Sequence, residues 1–133
     1  MKNSQIVAVL GAECTINDYI KAYNAFDIDA MLLNMHDEIS FRNISDGHVN
    51  LSTQGISEFR NAAQQACHLF KSRCQTVTGY QFSGDTATAQ IDFVGELSAD
   101  IPDGPKTGET IELKGKSEFI FKDGSIIGLT DIS

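Results

Sequence analysis

The stretch "YIKAYNAFDIDAMLLNMHDEISFRN", residues 19–43, changes from a helical pattern to a strand pattern with almost no loop. Thr15 and Asp18, just before it, resemble a capping box that begins the first helix. Its apolar side chains then recur at helical spacing, at Ile16, Tyr19, Ile20, Tyr23 and Phe26. Asp27 predicts the N-cap of a short second helix. The chain therefore starts with two helices joined by a tight turn.

From Glu38 the period becomes two, so Ile39, Phe41 and Asn43 share one face of a strand. This face points back toward the tyrosines of the first helix. We therefore expect the stretch to form the lid and one wall of a pocket.

The rest of the chain predicts one further helix and then strands only. The helix pattern runs over Gly55–Arg73, and Asp46-Gly47 before it predicts a hairpin turn. Alternating strand patterns follow at Thr76–Phe82, Thr86–Ala99, Ile111–Phe121 and Ser125–Ile132, with a loop at residues 100–109. This order predicts an α+β fold in which one curved antiparallel sheet is covered by three helices.

Composition narrows the classes of function. The chain has 133 residues, enough for one domain, and a net charge of -8 with scattered basic residues, which disfavours nucleic-acid binding. No apolar run reaches the roughly 18 residues that span a bilayer. The apolar run Ile6–Leu10 is shorter than the about 7 to 15 residues of a signal-peptide core. We therefore expect a cytoplasmic protein, with residues 1–11 as a flexible or docking segment, and no membrane partner.

We expect no metal and no cofactor. The sequence His36-Asp37-Glu38 has metal-binding residue types, but consecutive residues of an extended segment point to opposite sides. The three side chains therefore do not converge on one ion.

The opening stretch, together with "KGKSEFIFKDGSIIGLTDIS" at residues 114–133, resembles the nuclear-transport-factor-2-like superfamily, and within it the SnoaL-like and ketosteroid-isomerase-like proteins. The resemblance implies a cone-shaped, cystatin-like curved sheet and a single SnoaL-like domain over residues 1–133. It also implies a homodimer that forms through the outer face of the sheet.

The resemblance also implies positions for catalytic residues. The family's oxyanion tyrosine lies eight residues before the aspartate that opens the second helix, and this spacing gives Tyr19 before Asp27. The family's base corresponds to Asn43, which cannot accept a proton, and its second acid corresponds to Ser117. Steroid-type isomerisation by the family's route is therefore not expected.

Asp131 is the candidate for a substitute acid or base. The resemblance puts Ile127, Leu129 and Asp131 on the concave side of the last strand, where desolvation would raise the pKa of Asp131. The opposite parity is equally apolar, because Ile126, Gly128, Thr130 and Ile132 also form a face. The sequence leaves the two possibilities open.

The polar candidates also have structural interpretations. Tyr19 and Tyr23 are either donors to a ligand or core residues, and Asn43 is either a ligand-facing amide or a tie to the loop at Ser45. The expected cavity wall consists of Tyr19, Tyr23, Phe41, Asn43, Phe59, Phe93, Ser117, Phe119 and Leu129.

The sequence thus predicts a protein that binds a small apolar or aromatic ligand. If it is an enzyme, the chemistry is that of an isomerase or cyclase, with Asp131 as base and Tyr19 or Asn43 polarising a carbonyl group. The competing hypothesis is a non-catalytic dimeric module of the same fold, which carries a ligand or serves in protein assembly.

Overall fold

A computed structural model describes the backbone of residues 3–133 and the side chains of residues 8–133. Three helices and six strands follow one another along the chain. They are α1 (Asn3–Asn24), α2 (Ile28–Leu32), β1 (Met35–Ser45), β2 (His48–Gln54), α3 (Ile56–Leu69), β3 (Phe70–Ser83), β4 (Thr86–Leu97), β5 (Thr110–Lys122) and β6 (Ser125–Ile132).

The six strands form one curved, open sheet in the order β2-β1-β6-β5-β4-β3. All neighbouring strands are antiparallel except β1 and β6, which run parallel. The last strand, β6, forms a hairpin with β5 on one side and lies beside β1 on the other, and it runs in the same direction as β1. The predicted α+β fold, a curved and mainly antiparallel sheet with three helices, is confirmed.

The hydrophobic core lies between the helices and the concave face of the sheet. Alternate residues of β4 and β5 point inward, for example the fully buried Ala87 and Ala89 and the cross-strand partner Phe119. The other buried core residues come from the helices and from β1 and β6, and include Ile16, Ile20, Met31, Met35, Ile39, Phe59, Ile126 and Leu129.

The turn between α1 and α2 has a defined geometry. The amide of Asp27 donates to the carbonyl of Ala22 at 2.9 Å, and the amide of Phe26 donates to the carbonyl of Tyr23 at 3.1 Å. Phe26 adopts a left-handed conformation, with φ of 57°, which is the usual conformation just after a helix. The Asp27 side chain accepts a hydrogen bond from the Ala30 amide, so the predicted N-cap of α2 is confirmed.

The first helix begins earlier than the pattern predicted. Thr15 lies inside α1, where its hydroxyl donates to the carbonyl of Gly11 at 3.0 Å. The capping box predicted at Thr15 and Asp18 is therefore wrong, because a serine or threonine inside a helix can bond the preceding turn instead of starting a new one. Across the described residues, α1 included, no helix combines the length and the apolarity needed to cross a membrane.

The third helix ends earlier than predicted, and β3 begins without a loop. The pattern predicted a helix to Arg73, but α3 ends at Leu69 and Phe70 is already extended, with φ of -120° and ψ of 135°. Phe70 pairs with Leu97 and Arg73 pairs with Gly95 on β4. Pairing with β4 therefore overrides the helical spacing, and Arg73 becomes an inward-facing residue of the sheet.

Candidate functional site

A cavity of about 330 Å³ lies between the concave face of the sheet and helices α1 and α3. Tyr19, which is only 4% exposed, lies deep in it. Leu51 and Leu113, which are 42% and 47% exposed, lie where it opens. Most of the wall is apolar, as is usual for sites that hold small molecules.

The structure brings most of the predicted residues to this cavity. Eight of them line it: Tyr19, Tyr23, Phe41, Asn43, Phe59, Phe93, Ser117 and Asp131. Phe119 and Leu129, also expected at the wall, lie instead in the core, where each is 1% exposed. The reason is their position, since this cross-strand pair lies one step closer to the β5–β6 turn, where the Phe119 ring packs edge-on against Tyr19.

Three polar residues form a row across neighbouring strands. Asn43 of β1 is in register with Asp131 of β6, and Asp131 is in register with Ser117 of β5. All three therefore face the same side of the sheet, which is the cavity side.

Leu129 and Asp131 lie on the concave face, as the resemblance implied, but a register shift in the pairing of β6 with β5 makes Ile126 the inward-facing core residue in place of Ile127. Neither of the two faces predicted for β6 therefore holds along the whole strand.

Asp131 is a carboxyl group held in an apolar setting. Burial raises its pKa from 3.8 to about 6, and the hydrogen bond from Ser117 works against this shift. Ser117 Oγ lies 2.6 Å from Asp131 Oδ1 and donates to it. The carboxyl group can therefore exchange a proton near neutral pH, which is the range that suits a general base.

The two tyrosines keep their protons. Burial and, second to it, the negative charge of Asp131 raise the pKa of Tyr19 well above 10. Burial also raises the pKa of Tyr23 to about 12, although the charge of Arg73 works in the opposite direction. Their rings are 6.4 Å apart. Both hydroxyls are therefore hydrogen-bond donors throughout the physiological range.

Asn43 combines the two interpretations that the sequence left open. Its side chain lines the cavity, and its Nδ2 also donates to Asn50 Oδ1 at 2.8 Å. Asn50 in turn donates to Ser45 Oγ at 3.3 Å, so the tie to Ser45 runs through a second asparagine. Nδ2 carries two hydrogens, and the bond to Asn50 uses one of them.

Arg73 is a cavity residue that the sequence analysis missed. It is 5% exposed and lines the cavity from β3. The sequence pattern placed Arg73 at the end of the third helix, and this error concealed its position on β3. The signal that could have found it is the alternation of Arg73, Gln75 and Val77, which continues the inward face of β3 upstream.

The charges at the cavity are few. Among the described residues that line it, Asp131 is the only acidic side chain, and Arg73 is the basic side chain that faces it. Lys116 also borders the cavity, but it alternates with the inward-facing Ser117, so its side chain points to the opposite face. In the described part of the chain, no three His, Cys, Asp or Glu side chains lie close enough together to hold a metal ion.

Residues 16–129 match the sequence profile of the SnoaL-like domain, which covers most of the chain. The chain belongs to the SnoaL-like family. A comparison of this SnoaL-like chain with curated protein sequences found no match.

Solved structures share the fold of this SnoaL-like domain. A candidate polyketide cyclase from a Silicibacter species has a TM-score of 0.72 and 23% identity, over 91% of this chain and 87% of that one. A candidate SnoaL-like polyketide cyclase from a Jannaschia species has a TM-score of 0.74 and 18% identity, over 91% and 83% of the two chains. A hypothetical protein with a ketosteroid isomerase-like fold from Catenulispora acidiphila has a TM-score of 0.72 and 9% identity, over 88% and 82%.

Proposed function

We propose that this SnoaL-like chain binds a small, largely apolar carbonyl compound in the cavity and moves a proton on it, with Asp131 as the base. The observation that carries the proposal is the Asp131 carboxyl group, which faces an apolar cavity, accepts a hydrogen bond from Ser117 and has a pKa near 6. Such a group is ionised at neutral pH and still basic enough to take a proton.

The proposed reaction is proton abstraction next to a carbonyl group. Asp131 takes a proton from the carbon beside the carbonyl, and the electrons of that C–H bond move onto the carbonyl oxygen as an enolate. The Tyr19 hydroxyl or the free N–H of Asn43 donates a hydrogen bond to this oxygen. In an isomerase, a C=C bond next to the enolate extends it to a dienolate, which takes the proton back from Asp131 at the far carbon. In an aldol-type cyclase, the enolate carbon attacks a second carbonyl of the same molecule, and the alkoxide that forms takes the proton from Asp131.

Family membership supports this chemistry, since two of the similar structures are candidate polyketide cyclases. The lining also supports it, because the polar groups cluster around Asp131 and aromatic rings surround them. Phe41 and Phe59, for example, pack edge to face at 5.5 Å. Aromatic walls suit a planar or polycyclic ligand.

The test separates binding from chemistry. A panel of aryl ketones and 1,3-dicarbonyl compounds is first screened by thermal shift. Compounds that bind are then incubated with the protein in D₂O, and NMR follows the exchange of the hydrogens beside the carbonyl. We expect wild-type protein to catalyse this exchange, and Asp131→Asn to bind equally well but to lose about a hundredfold or more in exchange rate.

Asp92→Asn is the matched control. Asp92 alternates with Phe93, which lines the cavity, and pairs with Lys114 on the opposite face at 3.3 Å. This variant should exchange hydrogens at the wild-type rate. Binding without any exchange in wild-type protein would favour the ligand carrier, and a panel without any thermal shift would favour the assembly module.

We also propose that the chain forms a homodimer through the convex face of the sheet. Val94 and Ile120, which are 41% and 46% exposed, lie there among alternating Lys and Glu side chains of β5. Exposed apolar residues between charges of both signs suit a self-complementary interface. Sedimentation should find a dimer for wild-type protein and a monomer for the Val94→Lys/Ile120→Glu double variant, and a wild-type monomer would contradict this.

A further inference from the structure

Arg73 carries a positive charge into the protein interior without an acidic partner. Its side chain is 5% exposed, and none of the described Asp and Glu side chains forms an ion pair with it. Burying an unpaired charge is costly, because the interior cannot replace the water that the charge loses. The structure must therefore compensate for this charge in another way.

Part of the compensation comes from the end of α1. Arg73 Nε donates to the carbonyl of Tyr23 at 3.0 Å, in the last turn of that helix, where the helix dipole is negative. The guanidinium carbon also lies 3.7 Å from the centre of the Tyr23 ring and 4.6 Å from that of Phe26. These contacts hold the guanidinium plane in one orientation.

The remaining nitrogens are poorly satisfied. Nη2 has only a weak contact with Cys67 Sγ at 3.6 Å, and the buried Nη1 has no hydrogen-bond partner among the described residues. A guanidinium group has five N–H donors in a fork that matches a carboxylate. The contacts with α1 therefore explain the position of Arg73 but leave most of its donors unused.

The cavity is where the missing partner would lie, because Arg73 is part of its wall. We propose that the ligand of this cavity is a hydrophobic carboxylic acid, whose carboxylate pairs with the Arg73 guanidinium. Arg73 stands on β3 and Asp131 on β6, with β4 and β5 between them. An acid anchored at Arg73 therefore presents a more distant part of its skeleton to Asp131, away from its own negative charge.

This inference rests on the proposed function, because it defines the ligand of the same cavity. It adds a requirement that the proton-transfer proposal does not contain, namely an acidic group on the ligand. Arg73 is here a specificity-determining residue and not a catalytic one.

The experiment compares acids with their uncharged counterparts. Hydrophobic carboxylic acids with one to three rings, each paired with its primary amide, are titrated into the protein at pH 7.5 by calorimetry. Wild-type protein should bind the acids about tenfold or more tightly than the amides, since hydrogen bonds between charged groups are stronger than those to a neutral amide. Arg73→Met should bind both members of a pair equally.

Arg42→Met is the matched control, because Arg42 lies exposed on β1, one residue from the cavity-lining Phe41 and on the other face. It should keep the wild-type preference for acids. The wild-type comparison decides the question even if Arg73→Met does not fold. Equal binding of acids and amides to wild-type protein, or an unchanged preference in Arg73→Met, would overturn the role of Arg73 and leave the proposed function standing. Failure of both ligand sets to bind would overturn the two proposals together.

Discussion

Ser117 and Asp131 are cross-strand partners whose side chains meet on the cavity side of the sheet, with Ser117 Oγ donating to Asp131 Oδ1 at 2.6 Å. The Ser117 hydroxyl can form hydrogen bonds with many partners, whereas the buried Asp131 carboxyl group is costly to ionise. Removing either partner therefore has effects of predictable sign.

Asp131→Asn should make the stability of the fold less sensitive to pH. The pKa of Asp131 is about 6 in the folded protein and near 3.8 in the unfolded chain, so the folded state binds the proton more tightly. The stability that this proton contributes is fully present below about pH 4 and is lost as the pH rises through 6. The free energy of unfolding of Asp131→Asn, taken relative to that of wild type, should therefore rise by roughly 2 to 3 kcal/mol from pH 4 to pH 8, as measured by urea unfolding. An equal difference at both pH values would contradict this.

Ser117→Ala should raise the pKa of Asp131 further. The Ser117 hydroxyl stabilises the ionised carboxylate, and its loss leaves burial without that opposing effect. NMR titration of the Asp131 carboxyl carbon should find a midpoint above that of wild type. Ser40→Ala, at an exposed position on β1, should leave the midpoint unchanged, and a lower midpoint in Ser117→Ala would refute the assignment.

Gly115→Ala should destabilise the protein, whereas Gly11→Ala should stabilise it. A Cβ atom at Gly115 would collide with the backbone carbonyl of Ile132, so β6 would have to move near Asp131. A Cβ atom at Gly11 meets nothing within 4 Å, and alanine in a helix is favoured over glycine by roughly 0.5 to 1 kcal/mol. The midpoint temperatures of thermal unfolding should shift in opposite directions in the two variants. Shifts of the same sign would contradict the expected collision at Gly115.

Thr53→Val should stabilise the protein by about 1 kcal/mol. The Thr53 hydroxyl is buried and has no hydrogen-bond partner among the described residues, and valine has the same shape without the polar atom. Thr86→Val is the matched control, because the Thr86 hydroxyl donates to the Ser83 carbonyl at 2.7 Å. Chemical denaturation should find Thr53→Val more stable than wild type and Thr86→Val no more stable.

The fold was predictable because its signals are local and repeated. Four kinds of signal each predict an element without reference to the others: the N-cap at Asp27, the change of period from Glu38, the Asp46-Gly47 and Asp123-Gly124 turns, and the alternation in β4 and β5. The junction at Leu69 and Phe70 was not predictable in this way. The position at which the helix ends depends on the pairing of the following residues with β4, which is distant in sequence.

The site was predictable in part. The family resemblance implied positions in the site for Tyr19, Asn43 and Ser117, and all three line the cavity. Asp131 also lines the cavity, but the sequence left its orientation open, because both faces of β6 are apolar and only the register with Ser117 decides between them. Arg73 was missed because a helix boundary error of four residues put it in the wrong element. Phe119 and Leu129 lie on the predicted face of the sheet, but they are closer to the β5–β6 turn, where this face packs into the core and does not line the cavity.

Both faces of β6 are apolar, so hydrophobic burial alone does not determine which of its side chains line the cavity. One residue inserted after Gly124 would keep hydrophobic groups on both sides of the strand and would bring Thr130 into the place of the carboxylate. The length of the two-residue turn Asp123-Gly124 thus determines whether this position of the cavity wall holds a carboxyl or a hydroxyl group.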